Sequence, residues 1–527
     1  MPDIVLTTIN ARYAHAALGL RYLMANLGEL RPRARILEFV LGARTEDMVE
    51  RVLAEKPGIV GIGVYIWNVE AATRLVAQLR RVAPAIRIVV GGPEVSHETD
   101  GQRICALADH VITGPADLAF ATLCRQLLDG PRPLDKVVAG GQPALDDLAL
   151  PYALYTEEDV RHRHLYVEAS RGCPFRCEFC LSALDRTAWP FDTARVLEEL
   201  ARLHARGARR YRFVDRTFNL KAATSQAILE FFLERIEGAP GDPVFAHFEL
   251  VPDHLPDGLR DTIRRFPPGA LQFEIGIQTW NPQVQALISR RQDNERAAAN
   301  IAWLVEHTNA HLHVDLIAGL PGEDLDSFGA GFDRLAALRP HEIQVGILKR
   351  LRGAPIARHE RAFDLRFSPD PPYNLLSSGS IGFGDMQRIA RFARYWDLFG
   401  NSGRFRNALP LLLGERAFAR FMAFTDWIYA RTDATSQLSV ERQFELARQW
   451  LLEDATRTRE GGAAREPAPQ ARAAPAAPGS PGSRIESALR DDYSASGARG
   501  RPAFLAVGLS GGTQPVTATP RRQARHL

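Results

Sequence analysis

Apolar residues near the start of the chain fall into short runs, at 4–8, 35–39, 59–65, 86–90 and 110–113, with helix-patterned amphipathic segments between them. Buried strands alternating with helices predict an α/β fold over residues 1–130, with a parallel, doubly wound sheet of the Rossmann-like kind. Ligands of such sheets sit at the carboxyl ends of the strands, and small or polar residues gather there: Asn10 to Gly19, Gly63 to Asn68, Gly91-Gly92-Pro93-Glu94 and Gly114. One glycine after a strand means only a tight turn. Four such strand ends in succession predict a flat ligand pressed against backbone.

Residues 131–160 are rich in Pro, Gly, Asp and Leu without a steady period and read as a linker. Strand and helix patterns alternate again over 161–360, with strands expected at 164–169, 210–214, 245–250, 271–277, 311–317 and 342–348, and helices at 193–206, 225–236 and 295–307. From 361 to 456 the pattern turns helical and arginine-rich, at 386–398, 416–429 and 440–452. The stretch 457–527 is Ala, Pro, Gly, Ser and Arg in no period, so it cannot bury enough apolar surface to offset ordering entropy and predicts a disordered tail.

At 527 residues the chain is too long for one core and predicts about three domains. Its 65 basic and 62 acidic side chains leave a formal charge of +3, and all basic ones but Lys56, Lys136, Lys221 and Lys349 are arginine. Such uniform arginine use is compositional rather than a phosphate-binding patch, so no nucleic-acid partner is expected. The opening run Met1-Pro2-Asp3-Ile4-Val5-Leu6 lacks the charged and apolar regions of a signal peptide, and no apolar run suits a bilayer. A cytoplasmic protein with no membrane partner is the expectation.

Chemistry concentrates in one loop, Arg171-Gly172-Cys173-Pro174-Phe175-Arg176-Cys177-Glu178-Phe179-Cys180. The spacing of Cys173, Cys177 and Cys180 suits three corners of an iron-sulfur cube, and the fourth corner has no cysteine. A closed zinc site needs four ligands, usually as two spaced pairs, and no second pair lies nearby. Five cysteines, an odd number in a long chain without a secretory signal, point away from disulfides. Cys105 and Cys124, in helix-like apolar stretches, read as ordinary buried thiols.

Cys-x-x-x-Cys-x-x-Cys, with Phe179 before the last cysteine, resembles the signature of the radical S-adenosylmethionine (SAM) superfamily, and residues 1–410 resemble its cobalamin-binding branch. The resemblance implies a partial (β/α)6 barrel over 161–360, with active residues at the strand carboxyl ends. It implies a [4Fe-4S] cluster on Cys173, Cys177 and Cys180, with SAM chelating the open iron and Phe179 beside the adenine. Core packing is the alternative for Phe179. At the second strand, where the family commonly has Gly-Gly-Glu, this chain has Asp215, which either bonds the methionyl ammonium or forms a structural pair with Arg216. At the fourth, Glu274, Gly276 and Gln278 alternate onto one face, resembling the segment that presents polar groups to ribose and methionine; solvent in the barrel mouth is the alternative. Asp315 to Glu323, containing Gly319-Leu320-Pro321-Gly322, resembles the adenine-holding segment of the fifth. Lys349 and Arg352 after the sixth are either anion contacts or solvated.

The first domain resembles cobalamin-binding domains with departures. The Asp-x-His-x-x-Gly motif has its nearest match in Tyr13-Ala14-His15-Ala16-Ala17-Leu18-Gly19, which makes His15 an axial-ligand candidate without the carboxylate that would orient it; contact with a ligand or with backbone is the other reading. Gly-Glu-Gly-Glu is replaced by Gly114-Pro115-Ala116-Asp117. Tyr65 and Trp67 either close the lower face of a corrin or pack in the core, and Gly91 and Gly92 lie at the ligand edge. Asn401-Ser402-Gly403-Arg404-Phe405 resembles part of a C-terminal extension in one uncharacterised subgroup, which either lids the barrel or carries specificity.

The implied activity is reductive cleavage of SAM to a 5'-deoxyadenosyl radical, with cobalamin delivering a methyl group to an unactivated carbon of an unknown small molecule. A reducing electron donor such as flavodoxin or ferredoxin would be the partner. A non-methylating radical rearrangement or cyclisation, or a non-catalytic iron-sulfur protein, are the alternatives. RNA methylthiolation is disfavoured, because that group carries an extra cysteine set in its first domain.

Overall fold

In the computed structural model, residues 2–131, 133–459, 481–498, 502 and 522–525 are described. Two six-stranded parallel sheets organise them. The first runs in the order Ala34–Val40, Ile4–Asn10, Ile59–Gly63, Arg87–Gly91, His110–Thr113, Val137–Ala139. Five of these strands match the apolar runs. The sixth, Val137–Ala139, lies inside the stretch that composition marks as a linker and is too short to show a period. Ile4 stands opposite both Ala34 and Ile59, so strand order reverses at Ile4–Asn10, where a doubly wound sheet opens its ligand crevice. All seven residues of that strand are buried, because helices cover both faces. Leu75, Val76 and Leu79 of helix Val69–Val82 share one core with Val5 and Val60, and Leu20, Phe120 and Leu123 share the other with Ile4 and Leu6.

The second sheet keeps chain order: Leu165–Val167, Arg210–Phe213, Phe245–Leu250, Leu271–Gln278, His311–Ala318 and Glu342–Ile347. Its first and last strands are unpaired with each other, so the barrel stays open along one side. Phe213, Phe218 and Phe248 stack at centroid distances of 4.0–6.0 Å behind the sheet. At the free edge, Asn401 caps Glu342–Ile347 by accepting from the Ile343 N–H at 2.8 Å and donating to its carbonyl at 2.9 Å. An edge strand is thereby satisfied by the C-terminal part rather than left to pair with another chain.

Helices Phe383–Phe399 and Ala417–Thr432 pack on barrel helix Leu325–Ala337 through Phe332, Phe392, Trp396 and Phe421, most of them edge to face. Within the stretch 457–527, Pro481–Ala495 is helical, because Ile485, Leu489 and Tyr493 recur every four residues and bury one stripe. The rest of the expected tail, apart from 498, 502 and 522–525, lies outside the described residues.

The two sheets are joined by buried ion pairs. Arg21 bonds Glu38 at 3.0 Å and Asp159 at 2.7 Å, with all three side chains under a tenth exposed. Burial pushes both carboxyls up and the guanidinium more than reverses it, so both titrate below their ordinary values. Their contribution is therefore present at neutral pH and lost as pH falls below the unfolded carboxyl range of about 4. Replacing Arg21 with Met, which leaves buried Glu38 and Asp159 to Arg163 alone, at 3.0 and 3.4 Å, is expected to destabilise the fold by roughly 1.5–3 kcal/mol, read as an earlier denaturation midpoint at pH 7; an unchanged midpoint would refute it.

Candidate functional site

The cysteine loop leaves the first barrel strand and is pinched shut by a short ribbon in which Ser170–Arg171 pairs with Trp189–Pro190. Gly172, at φ +87°, allows the pinch: a Cβ there would lie 2.8 Å from the Ala188 nitrogen. Cys173 donates its N–H to the Asp185 carbonyl at 2.8 Å. All three cysteines line one cavity with Phe179, and among the described residues they do not converge on one point as a single-ion site requires. Burial pushes the Cys173 and Cys177 thiols up, while Arg290, with Nη1 3.5 Å from Cys177 Sγ, opposes the rise.

Three carboxylates grip this loop. Asp215 accepts the Ala169 N–H at 3.0–3.1 Å and the Ser170 hydroxyl at 2.6 Å, and burial lifts it to about 7. Asp117, from the first domain, receives a two-pronged bond from Arg171 at 3.0 and 3.1 Å, while Arg171 Nε donates to Glu168 at 2.9 Å. Glu178, between two cysteines, accepts from Arg358 at 2.7 Å and from Ser289 at 2.6 Å and lies 2.8 Å from His359 Nε2. Its backbone also bonds Ile288 and Ile356, so the segment after the sixth strand holds the loop from outside.

The opposite wall of the cavity is acidic and basic by turns. Glu274, Gly276 and Gln278 all face it from the fourth strand, Asp315 from the fifth and Glu249 from the third. His247 Nε2 lies 3.3 Å from Glu274, and this contact together with nearby His313 outweighs burial and holds the carboxyl low. Asp315 is pushed up by burial, with His313 opposing at 3.2 Å. Burial lifts Glu249 to about 7, although Arg216 donates to it at 2.8 Å. Gln278 occupies the left-handed region at φ +68°, where the strand register bulges, and its amide folds over Gly276: a Cβ on Gly276 would lie 2.3 Å from Gln278 Nε2. Arg290 bonds the Gly276 carbonyl and, with Arg291, supplies positive charge to the same wall.

A second cavity opens where the first sheet faces the barrel mouth. Gly63, Tyr65, Gly91, Gly92 and Gly114 line one side, and Arg171, Gly172, Val214 and Arg216 the other. Gly92, at φ +113°, passes so close to the third strand that a Cβ would sit 2.5 Å from the Val64 carbonyl. Trp67 lies outside this lining, half-exposed and stacked on Tyr65 at 4.4 Å and 7°. Arg216 faces both cavities.

Four expected contacts are not brought to these cavities. Asp215 faces away from the cysteine cavity, because the loop entrance consumes its carboxylate. Gly319 is a packing glycine: at φ +88° a Cβ would meet Leu375 at 2.4 Å, where the C-terminal part crosses the barrel. His15 lies on the seam between sheets, 2.6 Å from the Tyr166 hydroxyl, and no histidine is among the described residues lining the glycine cavity. Arg352 answers carboxylates of the first domain, Glu94 at 3.0 Å and Glu98 at 3.0 Å, rather than a ligand. Glu249 was legible by the same alternation as Glu274, whereas nothing near Glu178 in sequence announces a partner 180 residues away.

Comparison with known proteins assigns the segments. The Radical SAM superfamily model matches residues 167–335, the B12 binding domain model 4–124, and the Protein of unknown function (DUF4080) model 361–505. An uncharacterized methyltransferase of Pyrococcus horikoshii is 29% identical over 229 residues, 38% of this chain and 49% of that one. A tRNA-2-methylthio-N(6)-dimethylallyladenosine synthase of Chloroflexus aurantiacus is 25% identical over 240 residues, 44% and 50% of the two chains. The chain thus spans about half the length of the curated relatives it matches. Two solved structures share the fold: the radical SAM methyltransferase TsrM from Kitasatospora setae with cobalamin and [4Fe-4S] cluster bound (17% identity, TM-score 0.54, 70% and 78% coverage), and the cobalamin-dependent SAM radical enzyme OxsB with aqua-cobalamin bound (13%, 0.57, 94% and 84%).

The radical SAM domain implies a [4Fe-4S] cluster and SAM, and the B12-binding domain implies cobalamin. The residues present fit all three. Three thiols around one cavity suit a cluster with an open corner, the mixed acidic and arginine wall suits a zwitterionic sulfonium, and the glycine cradle suits a flat macrocycle held without a histidine ligand. Among the described residues no helix is long and apolar enough to cross a membrane.

Glu178→Ala is expected to weaken iron retention about 10–100-fold, the usual cost of losing a group that orients metal ligands, read as iron per chain after anaerobic desalting against a chelator. Full retention would show that the loop does not need this grip.

Proposed function

We propose that this chain, a radical SAM protein with a B12-binding domain ahead of its barrel and a DUF4080 domain behind it, methylates an unactivated carbon of a small molecule. The observation that supports this most directly is the shared wall: Arg216 lines both the cysteine cavity and the glycine cradle, so ligands of the two domains would be neighbours. When bound, the cluster and SAM supply reductive cleavage to a 5'-deoxyadenosyl radical, and cobalamin supplies a methyl group.

The chain's own residues bind, orient and exclude water. Cys173, Cys177 and Cys180 would hold three irons and leave the fourth to the methionyl amino and carboxylate groups. Glu274, kept ionised beside His247, would face the cationic part of SAM, and Arg290 and Arg291 its carboxylate. Phe179 would flank the adenine, and Gly276 leaves room for the Gln278 amide to reach a polar edge. Glu249, near neutrality, can hold or release a proton at its carboxylate beside the cavity. Tyr65, Gly91 and Gly92 would support the corrin face. A reducing electron donor such as flavodoxin or ferredoxin is the partner this chemistry needs.

Anaerobically reconstituted protein given SAM and dithionite is expected to form 5'-deoxyadenosine, and the Cys177→Ala variant none; equal yields from both would end the reading. Hydroxocobalamin added to the same protein is expected to co-elute with it on gel filtration, detected by its visible absorption. If the corrin elutes free, the methyl-transfer assignment falls and the cluster assignment stands.

A further inference from the structure

The C-terminal part does more at the barrel's edge than cap a strand. Helix Phe383–Phe399 of the DUF4080 segment lies alongside strand Glu342–Ile347 and, with residues of that strand and of His311–Ala318, lines a third cavity of about 650 Å³. That lies within the roughly 300–1,000 Å³ common for small-molecule pockets. Small residues keep it hollow: Gly346 from the edge strand, Ala390 and Ala393 from the helix. Phe179, the aromatic of the cysteine loop, lines both this chamber and the cysteine cavity, so the two meet at its ring.

The charge on the chamber wall is unbalanced. Its carboxylate Asp397 is taken up by Arg522 at 2.6 Å. Lys349 and Arg394 are exposed into the chamber region, and neither has a carboxylate partner among the described residues; Arg394 only donates to the Thr435 carbonyl at 3.2 Å. Gln344, also exposed, adds an uncharged donor and acceptor on the strand between them. Ile317 and Leu348 supply apolar wall toward Phe179.

We infer that this chamber is the substrate site and that it takes a small organic anion, a carboxylate or phosphate held by Lys349 and Arg394, whose carbon body runs along Ile317 and Leu348 toward Phe179. This rests on the radical SAM reading for the direction of the reaction and assigns the DUF4080 domain a task, walling the cavity at the barrel's edge strand and choosing the substrate by charge. Lysine supplies a point charge and arginine a planar fork, so the pair accepts either anion geometry.

The test is calorimetric titration of the full-length, anaerobically reconstituted protein with inorganic pyrophosphate and, separately, with citrate. Saturable binding of at least one probe is expected, weakened about tenfold or more in the Lys349→Ala/Arg394→Ala protein, the scale of one charge-assisted hydrogen bond, and restored in part by Lys349→Arg with Arg394 intact. Preference for pyrophosphate would indicate a phosphorylated substrate, and preference for citrate a carboxylic acid. No saturable binding of either probe to the parent, or equal binding by the double variant, would overturn the inference. Failure of the radical SAM reading is seen separately, as absence of 5'-deoxyadenosine from the parent, a readout that the titration does not touch.

Discussion

The constraint on which the molecule depends is the immobilisation of one ten-residue loop by three carboxylates, each from a different part of the chain. Asp117 of the first domain holds Arg171, Asp215 at the end of the second barrel strand holds Ala169 and Ser170, and Glu178 in the loop is held by Arg358 and His359 beyond the sixth strand. A loop with three thiols and a positive-φ glycine has little apolar surface with which to fix itself. Hydrogen bonds to carboxylates in buried surroundings supply the rigidity that packing cannot, and losing one leaves a buried polar group with fewer partners. The first domain and both ends of the barrel segment thus converge on the cysteines.

Their placement follows from the topology. The first sheet presents its strand ends at the reversal of strand order, the barrel presents its own at the cysteine loop, and the two mouths meet at Arg216. The open barrel then has two strand edges, and at one of them, Glu342–Ile347, the C-terminal part both caps the strand through Asn401 and lines a cavity beside it. Capping the edge and lining the cavity fall to the same segment.

Periodicity made the two runs of alternating strands and helices legible, and the resemblance carried by the cysteine motif implied the barrel. Strands buried on both faces read as continuous apolar runs, and the inward alternation of Glu274, Gly276 and Gln278 marked the cavity wall. The cysteine spacing identified the loop because its ligands are adjacent in sequence. What stayed hidden depends on distant pairing. Asp215 looked like a ligand to SAM because nothing local shows that Ala169 and Ser170 claim it, Gly319 looked like a cofactor contact because Leu375 arrives from far along the chain, and His15 matched a motif whose surroundings turn it toward Tyr166. The strand Val137–Ala139 is too short for pattern to mark, and the Ile485, Leu489 and Tyr493 stripe of helix Pro481–Ala495 is masked by the Ala-, Pro- and Gly-rich sequence around it.

Electron paramagnetic resonance of the dithionite-reduced protein, recorded with and without SAM, addresses the central claim most directly. An iron-sulfur cube held by Cys173, Cys177 and Cys180 and lacking a fourth thiolate has an iron on which SAM can sit, so its signal is expected to change on adding SAM. A spectrum indifferent to SAM, or protein that carries zinc in place of iron, would contradict it.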